Sequence, residues 1–280
     1  MFFRTWSRSW EFAKLSYGTL FEHKHLVVFP IVSTIATILV LMSFLVPLEM
    51  TGTLDAWLAS IDSEVAASDD PAMYVTAFLF YFCNYFCIVF FNTALIASVM
   101  DIFEGGQGRL SFGLKFALKR IHAIFGWALV SACVGMILNA LERNQKIGRF
   151  VAGLLGSAWT ALTYFVIPVI VAEGLGPVAA IKSSMHTLKK EWGTALMGNF
   201  SMGTLAFLLF LPVIGIGILV GMTVNVTAAI AVSVPLGLLA VLASATADAV
   251  FKAYLYSFAT GKTLPHNVDT NAMRGAFSQR

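Results

Sequence analysis

The stretch Glu173-Gly174-Leu175-Gly176-Pro177 joins a long apolar run to a segment with lysines at helical spacing, Val178 to Trp192. Glycine favours the left-handed backbone that ends many helices, and proline favours the first turn of the next one. The stretch therefore predicts a helix end, a turn and a helix start. Because the apolar run before it is long enough to cross a membrane, a spanning helix is predicted to give way here to a helix at the membrane surface.

The composition places the chain among multi-pass membrane proteins. Of its 280 residues 58% are hydrophobic and 12% are charged, with a mean hydropathy of +0.81, whereas soluble domains carry about a quarter charged residues. A spanning helix needs about 20 mainly apolar residues. The runs that meet this requirement are about 26–48, 73–100, 121–141, 150–172, 194–219 and 226–250. We therefore predict an all-α fold, a single membrane domain over residues 1–280 with a flexible tail at 260–280.

Three segments carry apolar residues on one side and mostly charged or polar residues on the other. They are residues 5–25, Leu110 to Phe125 and Val178 to Trp192. Helices of this pattern lie in the membrane interface. The sequence predicts six transmembrane helices in three hairpins, each preceded by an amphipathic interfacial helix. The glycine-rich stretch from Gly215 to Asn225 is predicted to form the return of the third hairpin.

The spacing of similar residues supports an internal repeat. The interval from Glu104 to Glu173 is nearly the same as the interval from Lys119-Arg120 to Lys189-Lys190. At a second constant offset, the matched residues are Lys14, Ser16, Thr19 and Leu20 with Lys182, Ser184, Thr187 and Leu188. Each unit starts on the same predicted side of the membrane. Parallel repeats of this kind surround a common centre in some carriers.

The distribution of charge predicts the orientation. Residues 49–72 contain six acidic residues and no lysine or arginine, whereas fifteen of the eighteen basic residues fall in the segments predicted to be cytoplasmic. Basic residues mark the cytoplasmic side of membrane proteins, so both termini are predicted to lie inside. The three exceptions are Arg143, Lys146 and Arg149. Because the charge is segregated by topology, we expect no nucleic-acid partner.

Three acidic residues, Glu104, Glu173 and Asp248, fall near the cytoplasmic ends of the even-numbered spans. The helix dipole disfavours an anion there, so a compensating group is expected. One interpretation is that they pair with basic residues of the surface helices or accept hydrogen bonds at the glycine turns. The other is that they form an inward-facing polar cluster for a cation, a proton or a lipid headgroup.

Amide and basic side chains supply the other candidate contacts. Asn84, Asn92 and Asn199 lie inside predicted spans, where asparagine either ties helices together or lines a permeation path. The basic residues of the later surface helices are predicted to contact lipid headgroups, anionic ones above all. They are Lys119, Arg120, Lys182, Lys189 and Lys190.

No catalytic pattern is present in the sequence. It contains no phosphate-binding glycine loop, no paired-histidine zinc motif and no serine nucleophile framed by glycines. We therefore expect a non-enzymatic membrane protein with no cofactor and no metal. Its expected partners are lipid headgroups, a membrane partner or further copies of the chain. The alternative is a transporter or channel for a small solute, an ion or a lipid.

Three motifs carry a resemblance: Arg8-Ser9-Trp10-Glu11, the segment from Lys24 to Pro30, and Glu173 to Pro177. In these the chain resembles a family of uncharacterised bacterial and archaeal integral membrane proteins, over most of its length. The glycine turn and the surface helix after it are more loosely similar to the six-span membrane domain attached to some bacterial glycerophosphodiester phosphodiesterases. The resemblance implies a six-helix domain in a prokaryotic cytoplasmic membrane. It implies no phosphodiesterase activity, because no such domain is expected in this sequence.

Overall fold

The computed structural model describes residues 2–55, 58, 71–142 and 145–265. All regular structure in these residues is helical, which confirms the all-α prediction. A short 3-10 turn, Lys24–Val27, follows the first helix. The α-helices are α1 (Phe2–Glu22), α2 (Val28–Met50), α3 (Pro71–Phe103), α4 (Leu110–Lys119), α5 (Ile121–Glu142), α6 (Gln145–Leu162), α7 (Val166–Glu173), α8 (Pro177–Thr223) and α9 (Val226–Thr260).

Six helical stretches within the described ranges are long and apolar enough to cross a membrane. They are Lys24–Met50, Tyr74–Phe103, Ile121–Glu142, Gly148–Glu173, Gly193–Thr223 and Val226–Thr260. Each overlaps one predicted span, so the multi-pass class is confirmed by length and composition. Most of the acidic loop, residue Arg143 and the tail beyond residue 265 lie outside the described residues.

The chain divides into two compact units, Met1–Pro30 with Leu95–Gly113 and Thr187–Arg280, and Ile31–Ala94 with Leu114–His186. In the first unit α1 packs along α9. The Phe12 ring centroid lies 5.5 Å from that of Phe258, and the hydroxyls of Thr19 and Tyr254 are 2.9 Å apart. The prediction of one domain over residues 1–280 stays a prediction.

The second unit is held together by aromatic contacts between its helices. The ring centroids of Trp127 on α5 and Trp159 on α6 stack at 5.6 Å. Those of Phe44 on α2 and Phe80 on α3 meet edge to face at 5.6 Å. Aromatic pairs in these geometries add stability beyond their buried area.

The apolar side of α1 lies against protein. Ala13, Tyr17 and Leu20, whose spacing predicted an interfacial helix, are all buried. Glu11 and Lys14 lie exposed on the other side. The stripe is therefore covered in large part by α9, whose aromatic side chains fill the same space.

The fourth predicted span, residues 150–172, is formed by two helices. The helix stops at Leu162 and restarts at Val166, because Pro168 has no N–H to donate and its ring crowds the preceding turn. The Ser184 hydroxyl donates to the Leu162 carbonyl at 2.7 Å and accepts from the Phe165 N–H at 3.0 Å. A single buried side chain thus satisfies both ends of the break, as membrane depth requires.

Helix α8 also differs from expectation. It begins at Pro177 as predicted, and it bends at Glu191, where φ is −118° and ψ is 22°.

The predicted return at Gly215 to Asn225 is too long, since α8 stays helical to Thr223 and only Val224 and Asn225 precede α9. Backbone groups in an apolar surrounding must bond within the helix, which keeps the glycines helical. The Asn225 side chain then caps α9 by accepting from the Ala228 N–H at 2.7 Å.

Candidate functional site

A cavity of about 290 Å³ lies within the first unit, between α1, α8 and α9. It contains two residues that the sequence singled out separately, Asn199 and Asp248. Its lining residues are Tyr17, Asn199, Met202, Gly203, Ala206, Ser244 and Asp248. Both polar and apolar side chains thus line this cavity.

The cavity lies toward one end of the helix pair. A helix rises about 1.5 Å per residue, which places Asp248 about 33 Å beyond Val226 and Asn199 about 36 Å before Thr223. Val226 and Thr223 flank the short connection between α8 and α9. A bilayer core is about 30 Å thick, so the cavity lies about one core thickness from that connection.

Gly198 brings α8 close to α9 beside the cavity. A methyl group at this position would collide with the ring of Phe251, which is fully buried. The close approach places the neighbouring residue, Asn199, at the cavity, where its side chain stays exposed.

Tyr17 lines the cavity from α1. Its hydroxyl donates to the Ser244 hydroxyl at 3.4 Å. Burial raises the pKa of the Tyr17 phenol above its usual 10.0; the hydrogen bond with Ser244 lowers it in part, and the charge of Asp248 raises it further. The phenol is therefore neutral at physiological pH.

Among the described residues, Asp248 is the one charged residue that lines the cavity. The Lys252 ammonium lies 2.7 Å from Asp248 Oδ2, and the aspartate side chain is 38% exposed. Its cationic partner is thus on its own helix, one turn away, rather than on a surface helix. An exposed pair at this spacing is worth only about 0.3–0.5 kcal/mol. The second carboxylate oxygen has further lone pairs for hydrogen bonds.

Glu173 does not line this cavity. Its two carboxylate oxygens accept from the Ser183 hydroxyl at 3.1 and 3.2 Å. The next residue, Gly174, has φ +68°, and the Arg120 guanidinium packs where a side chain at Gly174 would stand. Glu173 and Arg120 thus both lie at the turn that the sequence identified.

The first glycine turn uses a different acid. Asp101 Oδ2 accepts from the Gly108 N–H at 2.9 Å, whereas Glu104 is exposed. Asp101 is one turn earlier on α3, and the glycine at 106 leaves room for its carboxylate. Sequence spacing matched Glu104 to Glu173, but the turn is closed by Asp101.

The predicted lipid-contacting lysines are all exposed: Lys119, Lys182, Lys189 and Lys190. On α8 three residues on the side opposite these lysines, Ser184, Thr187 and Leu188, are buried. Arg120 is half-buried, with its guanidinium 5.6 Å from the Phe116 ring centroid. Among the described residues no group of three His, Cys, Asp or Glu lies close enough to hold a metal.

The other predicted intramembrane amides, Asn84 and Asn92, belong to the second unit and are half-buried. Asn84 donates to the Phe80 carbonyl of its own helix at 2.8 Å. They are therefore not part of the cavity that contains Asn199.

The sequence did not predict the positions of three polar residues, one at the cavity and two elsewhere on α8. Ser244 lies in the small-residue run from Ala243 to Ala247, which allows close helix packing and gives no sign of a ligand. Glu191 is buried at the bend of α8 and accepts from the Thr194 hydroxyl at 2.8 Å. Ser184 was visible only as a repeat match to Ser16.

A family of unknown function, DUF6159, matches residues 71–264 of the chain. No curated protein and no solved structure matches the chain. The family match covers every residue that lines the cavity except Tyr17.

Proposed function

We propose that this chain, which belongs to the family of unknown function DUF6159, is a non-enzymatic integral membrane protein that engages anionic lipid headgroups. In this proposal three hairpins, each preceded by an interfacial helix, lie in a prokaryotic cytoplasmic membrane with both termini inside. The contacts are made by the basic residues Lys119, Arg120, Lys182, Lys189 and Lys190.

One observation carries the proposal: on the first part of α8 the lysines are exposed while Ser184, Thr187 and Leu188, on the opposite side of the helix, are buried. Because Ser184, Thr187 and Leu188 pack against protein, Lys182, Lys189 and Lys190 are directed away from it.

Lys189 and Lys190 also stand close to the apolar stretch of α8 that is long enough to span a membrane. Lys190 shortly precedes Gly193, where the spanning part of α8 begins, and the two are about 4.5 Å apart along a helix. This distance is within the roughly 8–10 Å over which an anionic surface acts on a cation. Each lysine in such a position is worth about 1 kcal/mol of attraction to anionic lipid.

The test replaces Lys182, Lys189 and Lys190 together by glutamine in the full chain. Wild type and variant are reconstituted into nanodiscs of equal phosphatidylglycerol and phosphatidylcholine, and retained lipid is counted by native mass spectrometry. We expect wild type to retain phosphatidylglycerol preferentially and the variant to lose roughly tenfold or more of that preference, since about 1 kcal/mol per lysine is removed.

The matched control is the triple arginine variant, which keeps the charge and should keep the preference. Raising the salt should weaken the wild-type preference because exposed charges are screened. An unchanged preference in the folded glutamine variant contradicts the proposal.

A second candidate is a transporter for a small solute, an ion or a lipid, because Asn199 and Asp248 share a cavity. On α8 the lining residues extend from Asn199 to Ala206, about 10 Å along the helix. This is about a third of a bilayer core, so the cavity supports binding at one boundary better than a crossing path. Solute-loaded vesicles with wild type and Asp248→Asn test this candidate, which requires efflux that the variant abolishes.

A further inference from the structure

We propose that the cavity bounded by Tyr17, Asn199, Met202, Gly203, Ser244 and Asp248 binds the primary ammonium group of an amine-bearing membrane lipid. The lysines of the proposed lipid-contacting faces do not line it, so the two proposals stand on different residues.

The charge of the cavity selects a cation. Asp248 is a carboxylate, and within the described part of the chain no lysine, arginine or histidine lines the space. The Lys252 ion pair uses Oδ2 of Asp248, and the carboxylate has further acceptor sites on its other oxygen. A cation in the cavity therefore meets the acceptor sites of a carboxylate that pairs with Lys252 through its other oxygen.

The hydrogen-bonding groups select a primary ammonium over a quaternary one. An ammonium has three N–H donors and no acceptor. The cavity offers three side chains that can accept: the Asp248 carboxylate, the Asn199 amide oxygen and the Ser244 hydroxyl. A quaternary ammonium cannot donate and is bound by cages of aromatic rings, but Tyr17 is the single aromatic residue, of those the structure describes, that lines the cavity.

The apolar wall and the depth select a lipid over a soluble amine. Met202, Gly203 and Ala206 form one side of the cavity along α8. Outside the cavity, the large apolar side chains of Phe200 and Phe207 on the same helix are exposed. The polar groups lie about one bilayer-core thickness from the α8–α9 connection, a depth that fits the headgroup boundary. An amine at this depth with its apolar part along α8 is a phosphatidylethanolamine headgroup with its chains in the bilayer.

The test uses the purified full chain in nanodiscs of equal phosphatidylethanolamine and phosphatidylcholine, with retained lipid counted by native mass spectrometry. Wild type should retain phosphatidylethanolamine over phosphatidylcholine by roughly tenfold, the effect of about one charge-assisted hydrogen bond. Asp248→Asn should bring the ratio near one. The control Glu104→Gln removes an exposed carboxylate of the same unit outside the cavity and should leave the ratio unchanged.

A second pair of variants fills space without removing a polar group. Gly203 lines the cavity, and a Cβ there meets nothing within 4 Å, so Gly203→Leu should occupy the cavity and abolish the retained phosphatidylethanolamine. Gly215 lies on the same helix, is equally open and does not line the cavity, so Gly215→Leu should retain it. Leucine is a better helix former than glycine, and the melting temperature of each variant should be at least that of wild type.

Three results overturn the proposal. They are equal retention of the two lipids by wild type, an unchanged ratio in folded Asp248→Asn, and retention by folded Gly203→Leu. Displacement of the lipid by millimolar soluble ethanolamine would overturn the assignment to a lipid in favour of a free amine. Loss of phosphatidylglycerol preference in the lysine variant with an unchanged phosphatidylethanolamine ratio supports both proposals as separate sites.

Discussion

The segment around Ser16 on α1 and the segment around Ser184 on α8 have matching burial and different bonding. Ser16 and Ser184 are both fully buried. Ser16 donates to the Phe12 carbonyl of its own helix at 2.7 Å, whereas Ser184 bonds both ends of the break between α6 and α7. A shared sequence pattern thus sets which side of a helix is buried, while the neighbouring helices decide what the buried polar group bonds.

The largest expected effect belongs to the matched leucines, which should behave alike. Leu20 is 3% and Leu188 is 5% exposed. Leu20→Ala and Leu188→Ala should each lower the free energy of unfolding by about 2–4 kcal/mol, because each leaves a cavity. Unfolding in mixed micelles measures both. A large loss of stability in one variant with almost none in the other would show that the two leucines are not buried in equivalent ways.

The serines should differ. Ser184→Ala leaves the Leu162 carbonyl and the Phe165 N–H without this partner, and should cost about 2–3 kcal/mol. Ser16→Ala removes a bond to a carbonyl that remains within its own helix, and should change stability by about 0.5 kcal/mol or less. Unfolding in mixed micelles measures both variants. Equal losses of unfolding free energy would show that Ser184 does not stabilise the break.

The two glutamates before the glycine turns should also differ. Glu173→Lys removes the acceptor of the Ser183 hydroxyl and places a second cation at the turn where Arg120 packs. We expect a loss of about 1 kcal/mol. Glu104→Lys changes an exposed side chain at the first turn and should be nearly neutral. A Glu173→Lys protein with unchanged melting temperature would contradict the role of Glu173 as a structural joint.

The smallest effect on stability is expected for the matched lysines. Lys14 and Lys182 are both exposed, so Lys14→Gln and Lys182→Gln should each change the free energy of unfolding by less than about 0.5 kcal/mol. Their melting temperatures should therefore match that of wild type, and any effect on lipid retention is separable from folding.

The six spans were predictable from the sequence because apolar length is a local property. The start of α8 at Pro177 was predictable too, since proline after a glycine turn is a local signal. The break before Pro168 was not predicted. Helices α8 and α9 continue past Pro212 and Pro235, so a proline alone does not identify a break. What differs at the break is Ser184, which belongs to the next helix of the chain, α8. A partner on another helix is set by packing rather than by local pattern.

The candidate site was predictable in part for the same reason. Asn199 and Asp248 were identified as polar residues in apolar surroundings, but their meeting in one cavity depends on Gly198 fitting against Phe251. Tyr17 belongs to the segment 5–25, which the sequence predicted to be an interfacial helix. Its place beside Ser244 follows from the packing of α1 on α9.

The side of the membrane on which the lysines lie tests the proposed topology, with each surface helix on the cytoplasmic side, most directly. In a chain with Cys83, Cys87 and Cys133 replaced by alanine, single cysteines at Lys14, Lys182 and Thr223 are labelled with a membrane-impermeant maleimide in sealed vesicles of each orientation. We expect the Lys14 and Lys182 positions to react from the cytoplasmic side and Thr223, at the far end of α8, from the opposite side. Labelling of the Lys14 and Lys182 positions from opposite sides would contradict the proposed topology, in which both precede a span on the cytoplasmic side.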